Sequence, residues 1–209
     1  MLIGTVARKG HGKDAVGDYL VGKHEFRKVA FAAKVKDVTW DLFPRLAACQ
    51  LFGTIAEKEA KDPYLNVSGR QLLQLVGTEV GRQGDMEALR TYGVSEYQVR
   101  NAFHDHGVVP GPLAWVNALF SPDFLQRVDT RGYVITDVRF PNEAAVVQAN
   151  GGTIIKVVRP GFDTGEHNGH ASETEVGNCP FDHGVLNDGT LQDLYAKVDE
   201  IIKWHKENP

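Results

Sequence analysis

Ala7-Arg8-Lys9-Gly10-His11-Gly12-Lys13-Asp14, entered from the apolar run Leu2 to Val6, is the stretch on which the fold of this chain turns. A short β-rich run, then glycines closing on a lysine, then a helical pattern is the layout of a phosphate cradle. Backbone N–H groups approach a polyphosphate only where side chains are absent; Gly10 and Gly12 leave that space and Lys13 brings charge to the phosphate oxygens. The stretch keeps the closing Gly-Lys of the general phosphate-loop pattern. Ala7 stands where that pattern has its first glycine, and Asp14 where it has a hydroxyl residue. The motif with its context predicts nucleotide triphosphate binding.

Outward from the loop, a helix is expected from Lys13 to about Val21, with Ala15, Val16, Tyr19 and Leu20 as its apolar stripe. Further strands are expected at Phe26 to Phe31, Tyr133 to Thr136, Thr153 to Val158 and Gly184 to Leu186, alternating with helices. Val134 to Thr136 and Ile154 to Val158 are β-branched with few polar interruptions, as in a parallel sheet covered on both faces. Pro141, Glu143 and Gly151 bracket one helix. Thr190 with Asp193 caps another, which carries Leu191, Leu194, Val198, Ile201 and Ile202 at helical spacing. The middle, about 81 to 111, lacks sustained periodicity and holds the polar tract Asn101 to Gly107. It reads as an inserted lid or as a solvated loop.

The 209 residues carry no repeat and no Pro/Ser-rich linker, which predicts one α/β domain over 1–209 that buries about 70% of its unfolded surface. No apolar run approaches the roughly 18 residues of a membrane span. The first residues lack the basic start of a signal peptide, so the expected compartment is the cytoplasm. Cys49 and Cys179 are far apart without metal-ligand spacing and read as free thiols. A net charge of -4 argues against a nucleic-acid-coating protein.

Asp137 ends an apolar strand, where a carboxylate reaches a metal on a bound nucleotide or simply suits the turn that follows. Arg139, two residues on, points to phosphate binding or to an ion pair with Glu143. Lys9, Lys34, Lys36 and Arg70 are cations at element ends and serve a second anion only if the fold gathers them. Trp115 stacks on a base or fills the core. His167 with His170, and His104 with His106, sit in polar surroundings and read as loops rather than metal sites.

Four segments together resemble the deoxynucleoside monophosphate kinase family of tailed bacteriophages, the T4 type. They are Lys9-Gly10-His11-Gly12-Lys13-Asp14; Gly69-Arg70-Gln71-Leu72-Leu73-Gln74-Leu75-Val76-Gly77-Thr78-Glu79; Asp137-Val138-Arg139 with Glu143; and Val157-Val158-Arg159-Pro160-Gly161 with Leu186-Asn187-Asp188-Gly189. General phosphate-loop physics demands neither Leu-Val-Gly-Thr-Glu nor Val-Arg-Pro-Gly at those places, and Gly-Lys-Asp is a habit of that family. The rivals are another small-molecule kinase, such as dephospho-coenzyme-A kinase, which predicts Ser or Thr after Lys13, and an inert nucleotide binder.

The resemblance implies a P-loop NTPase-type three-layer α/β sandwich with a mostly parallel sheet. Its core is adenylate-kinase-like, with an inserted monophosphate-binding region and lid. It implies ATP-dependent, Mg²⁺-assisted phosphorylation of a deoxynucleoside monophosphate to the diphosphate for phage DNA precursors, in the host cytoplasm. Its partners are small nucleotides, with neither nucleic acid nor membrane, and a homodimer is compatible with it. Carried over, ATP lies on Gly10, His11, Gly12, Lys13, Asp14 and Ala15, with Arg159 and Asn187 toward the adenine. The monophosphate is held by Lys9, Val35, Lys36, Arg70, Gly77, Thr78 and Trp115, with Asp137, Arg139 and Glu143. Lys13, Arg139, Asp137 and Arg70 are the catalytic set, and Asp14 and Asp137 the metal ligands, directly or through water. Gly10 stands where the T4-type pattern has a basic residue and Ala15 where it has a threonine; Arg8 is at hand to replace the charge.

Overall fold

Strand β1 (Leu2–Val6) is buried along its whole length, as a central strand must be when helices cover both faces of the sheet. The computed structural model describes residues 1–128, 131–162 and 175–208. In it β1 lies between β3 (Tyr133–Ile135) and β4 (Thr153–Val158), with β2 (Arg27–Val29) beyond β3 and β5 (His183–Leu186) beyond β4. All four pairings are parallel, in registers such as Ile3↔Val134 and Gly4↔Ile154. The α/β expectation therefore holds, and every strand delivers its C-terminal end to the same edge. β2 is shorter than its sequence suggests because only three residues pair along this edge. Phe26 before it is buried, and Phe31 after it begins a helix.

The chain divides into two compact units, Met1–Ala30 with Pro122–Pro209, and Phe31–Ser121. In the first, helix α1 (Lys13–His24) buries Val16 and Leu20, with Ala15 and Tyr19 packed against the core. Helices α8 (Pro122–Val128) and α9 (Pro141–Ala149) follow, and α10 (Leu191–Glu207) closes the chain. Thr190 and Asp193 cap α10 reciprocally, and Leu194, Val198, Ile201 and Ile202 are buried; Leu191, expected in that stripe, lies exposed in the first turn. The Tyr19 and Tyr195 rings stack at 4.1 Å and 3°, and Asp199 accepts hydrogen bonds from Tyr19 Oη at 2.8 Å and from His24 Nε2 at 2.7 Å. These contacts staple α10 to α1.

The second unit is helical: α2 (Phe31–Leu42), the short α3 (Ala48–Phe52) and α4 (Ile55–Glu59), α5 (Gly69–Gln74), α6 (Glu96–Asp105) and α7 (Ala114–Leu119). The polar tract Asn101 to Gly107 is mostly the end of α6 rather than a loop. Ser95 and Gln98 form its capping box, and Val99, Ala102 and Phe103 are buried at i, i+3 and i+4. The whole stretch from 81 to 111 belongs to this unit. His106 pairs with Asp41 at 2.7 Å and His104 with Asp105 at 3.3 Å. His167 and His170 lie outside the described residues. Among the described residues no helix is long and apolar enough to cross a membrane, and no cluster of three or more His, Cys, Asp or Glu is placed to hold a metal.

At the N-terminal end of the sheet, His205 Nε2 lies 3.0 Å from Thr153 Oγ1 and 3.2 Å from His183 Nε2. Burial, then the neighbouring His183, holds the His205 pKa below the usual histidine range, with Asp182 opposing. The unfolded chain accepts this proton more readily than the folded one. The contribution is complete above about pH 6.5 and is lost as pH falls below that value toward the lower folded pKa. Thermal midpoints measured from about pH 8 down to about pH 5 are expected to drop on the acid side, with a shallower drop in His205→Gln.

Candidate active site

The loop between β1 and α1 is built from backbone. Gly10 (φ 81°) and Gly12 (φ 106°) take left-handed conformations that side-chain-bearing residues rarely adopt. The His11 N–H closes a turn on the Arg8 carbonyl at 3.2 Å. Gly12 is the N-cap of α1 and has no side chain of its own to place on the N–H groups of the first turn, which lie at the positive end of the helix, where an anion is favoured. The Lys13 ammonium, four-fifths buried, pairs with the exposed Asp14 carboxylate at 2.8 Å.

The ends of β4 and β5 hold this loop from the side. Asn187, just after β5, donates its Nδ2 to the His11 carbonyl at 3.0 Å. The Arg159 N–H, just after β4, donates to His11 Nδ1 at 3.1 Å, and His11 Nε2 lies 3.0 Å from the Phe162 carbonyl. The Phe162 ring covers Gly10 so closely that a methyl group there would run into it, and the Arg159 guanidinium stands 4.8 Å from the ring centroid. Arg159 and Asn187, expected near the adenine side, are thus both tied to the phosphate loop. Phe162 was not singled out from the sequence; the aromatic residue directly after Pro160-Gly161 was the available signal.

Asp137 and Arg139 follow β3, the neighbour of β1, at the edge where the phosphate loop emerges. Both are partly exposed. Glu143, only 2% exposed, accepts the Arg139 N–H at 2.7 Å and the Phe140 N–H at 3.1 Å, while Pro141 opens α9. Its carboxylate therefore fixes the backbone that carries Arg139. As ligands for Mg²⁺, Asp14 and Asp137 fit in kind: this ion takes hard oxygen donors, and one or two carboxylates complete its shell with water and substrate phosphates.

In the second unit, Leu75 to Val80 widen from α5 into a π-helical turn. Gly81 bonds back to the Val76 carbonyl and Arg82 to that of Thr78, bypassing Gly77. The Trp115 indole takes the Gly77 carbonyl at 2.7 Å. Trp115 is 2% exposed, packs on Phe103, and seats over Gly81 where any larger residue would strike its ring. Of the two sequence readings, the core reading describes its position. Val35 packs beside Gly77, so Val35, Gly77 and Trp115 meet. Arg70, behind the Ser68–Gln71 capping box, pairs with Glu59 at 3.7 Å, and Lys36 lies 5.8 Å from the Phe52 ring centroid. A cavity of about 740 Å³ in this unit, lined by Leu42, Arg45, Asp62, Tyr64, Tyr92 and Gln98 among others, includes none of the expected site residues.

Two substitutions test this geometry. Gly10→Ala forces a left-handed backbone on alanine against Phe162 and is expected to cost about 1–2 kcal/mol in denaturant unfolding and to weaken ATP binding. Trp115→Phe leaves the Gly77 carbonyl without its indole donor and is expected to cost about 1–3 kcal/mol in the same measurement.

The family described as Deoxynucleotide monophosphate kinase matches residues 113–198. A protein of Acanthamoeba polyphaga mimivirus, provisionally named deoxynucleotide monophosphate kinase, is 30% identical over 206 residues, 97% of this chain and 96% of its own. The Deoxynucleotide monophosphate kinase of Enterobacteria phage T4 is 32% identical over 93 residues, which is 44% of this chain and 37% of the phage protein. Among solved structures, a dephospho-CoA kinase from Campylobacter jejuni overlays with a TM-score of 0.42 at 11% identity, covering 97% of this chain and 95% of its own. On its end-to-end match to the mimivirus relative, this chain belongs to the deoxynucleotide monophosphate kinase family.

Proposed function

We propose that this chain transfers the γ-phosphoryl group of ATP to a deoxynucleoside 5'-monophosphate, giving the diphosphate and ADP for DNA precursor synthesis. The observation that carries the reading is the glycine-capped, doubly left-handed loop at the head of α1, held from the ends of β4 and β5, in a chain of this family.

The chemistry asks for no protein base. A phosphomonoester has a second pKa of about 6, so the attacking oxygen is already deprotonated at neutral pH; what remains is positioning and charge neutralisation. In this proposal the loop N–H groups and Lys13 hold the ATP phosphates. Arg139, its backbone fixed by Glu143, draws the acceptor phosphate in against its repulsion from ATP. Asp14 and Asp137 hold Mg²⁺, which when bound neutralises charge on the phosphate oxygens. Lys9, Asp137 and Arg139 are the acceptor ligands within the first unit. Within the second, Val35 packs on Gly77 and the Trp115 indole anchors the Gly77 carbonyl.

A coupled assay for ADP release is expected to respond only when a deoxynucleoside monophosphate is added. Lys13→Ala and Arg139→Ala should each lose about a hundredfold or more in turnover, with unfolding curves close to those of the parent chain. Silence toward every nucleoside and deoxynucleoside monophosphate would overturn the reading.

A further inference from the structure

We propose that His11 is a positioning residue: its neutral imidazole, held in one tautomer, plugs the turn Arg159–Phe162 and so locks the guanidinium of Arg159 to the phosphate loop. The inference rests on the reading of ATP as donor and adds to it the device that holds Arg159 at the donor's phosphate loop.

The tautomer follows from the partners. A backbone N–H only donates and a carbonyl only accepts; with Arg159 N–H at 3.1 Å from Nδ1 and Phe162 C=O at 3.0 Å from Nε2, Nδ1 is bare and Nε2 carries the proton. An imidazolium would set its Nδ1–H against the Arg159 N–H, so the contact exists only in the neutral ring. The segment it fills is a β-turn. Phe162 N–H returns to the Arg159 carbonyl at 3.3 Å, with Pro160 at the second place and Gly161 (φ 71°) at the third, the residues a type II turn demands. One ring therefore satisfies a group from the first residue of the turn and a group from the last.

Both sides of the contact are fixed. His11 is 9% exposed, its N–H is spent on Arg8 and its carbonyl takes the Asn187 amide. On the turn, the Phe162 ring stands edge-on to His11 at 6.1 Å, covers Gly10 and carries the Arg159 guanidinium on its face at 4.8 Å. The backbone of Arg159 is set by the His11 ring, and its side chain by an aromatic ring that the same imidazole anchors. The two sequence segments His11 and Arg159-Pro160-Gly161 are halves of one joint.

The test is a set of kinetic constants and calorimetric ATP titrations without acceptor, on the parent chain, His11→Phe, His11→Asn, Arg159→Ala and the double variants. His11→Phe loses both hydrogen bonds and is expected to raise the KM and Kd for ATP about tenfold, while kcat and the acceptor KM stay within about twofold. His11→Asn keeps an acceptor oxygen near the Nδ1 position and is expected to recover part of the loss. In an Arg159→Ala background the guanidinium is gone, so adding either His11 change should alter ATP affinity by less than about twofold. Unchanged ATP affinity in His11→Phe overturns the inference. So does an effect undiminished in the Arg159→Ala background, which would mark a direct ATP contact or a general loss of structure. If His11→Phe does not fold, the cycle between His11→Asn and Arg159→Ala decides alone. Failure of the parent chain to phosphorylate any monophosphate would overturn the proposed function instead, and the ATP titrations would still judge His11.

Discussion

A row of peptide N–H groups stays open to an anion only while it cannot relax onto other acceptors, and support against that relaxation organises the first unit. The loop after β1 contains two left-handed glycines, which cost conformational entropy on folding and would collapse without support. The support is lateral. Asn187 grips the carbonyl of His11, the turn after β4 grips its ring, and Phe162 closes over the bare backbone of Gly10. The parallel strand order makes this economical, because β4 and β5 end at the same edge as β1.

The second unit solves a different problem. A π-helical turn is a rare and poorly bonded piece of helix, and here it leaves one carbonyl, that of Gly77, outside the usual ladder. A buried indole supplies the missing donor, and the glycine at 81 makes room for the ring. The motif Leu-Val-Gly-Thr-Glu is thus a local distortion with its own brace. Such distortions recur where backbone is shaped for binding rather than for stability.

Much of the first unit was legible because its physics is local. The run Thr153 to Val158 is β-branched and nearly uninterrupted, and it is β4 to the residue; Thr190 with Asp193 announces α10 by a capping box four residues long. The phosphate loop reads from its own glycines. What the sequence hid is which atoms pair, and in some cases the partners lie far along the chain. The bond of Glu143 to the backbone of Arg139 spans four residues, yet a salt bridge to the guanidinium looks the same on paper. The clamp on His11 comes from residues 148 and 151 positions away, and only the turn-forming Pro160-Gly161 hinted at it. Tertiary burial of Val99, Ala102 and Phe103 also overrode the polar appearance of the stretch around Asn101 and made a helix of it.

The ion pair between Lys13 and Asp14 carries a consequence for how the pocket fills. An exposed carboxylate holds the ammonium at little energetic cost, so an incoming anion competes with a resident one rather than entering an open positive hole. For the triphosphate of the proposed function, whose charge density far exceeds that of one carboxylate, this competition would free the Asp14 carboxylate beside the incoming oxygens, where a divalent counter-ion would take a hard donor. On that proposal, seating the triphosphate and preparing a berth for its cation would be a single exchange of neighbours along two consecutive residues.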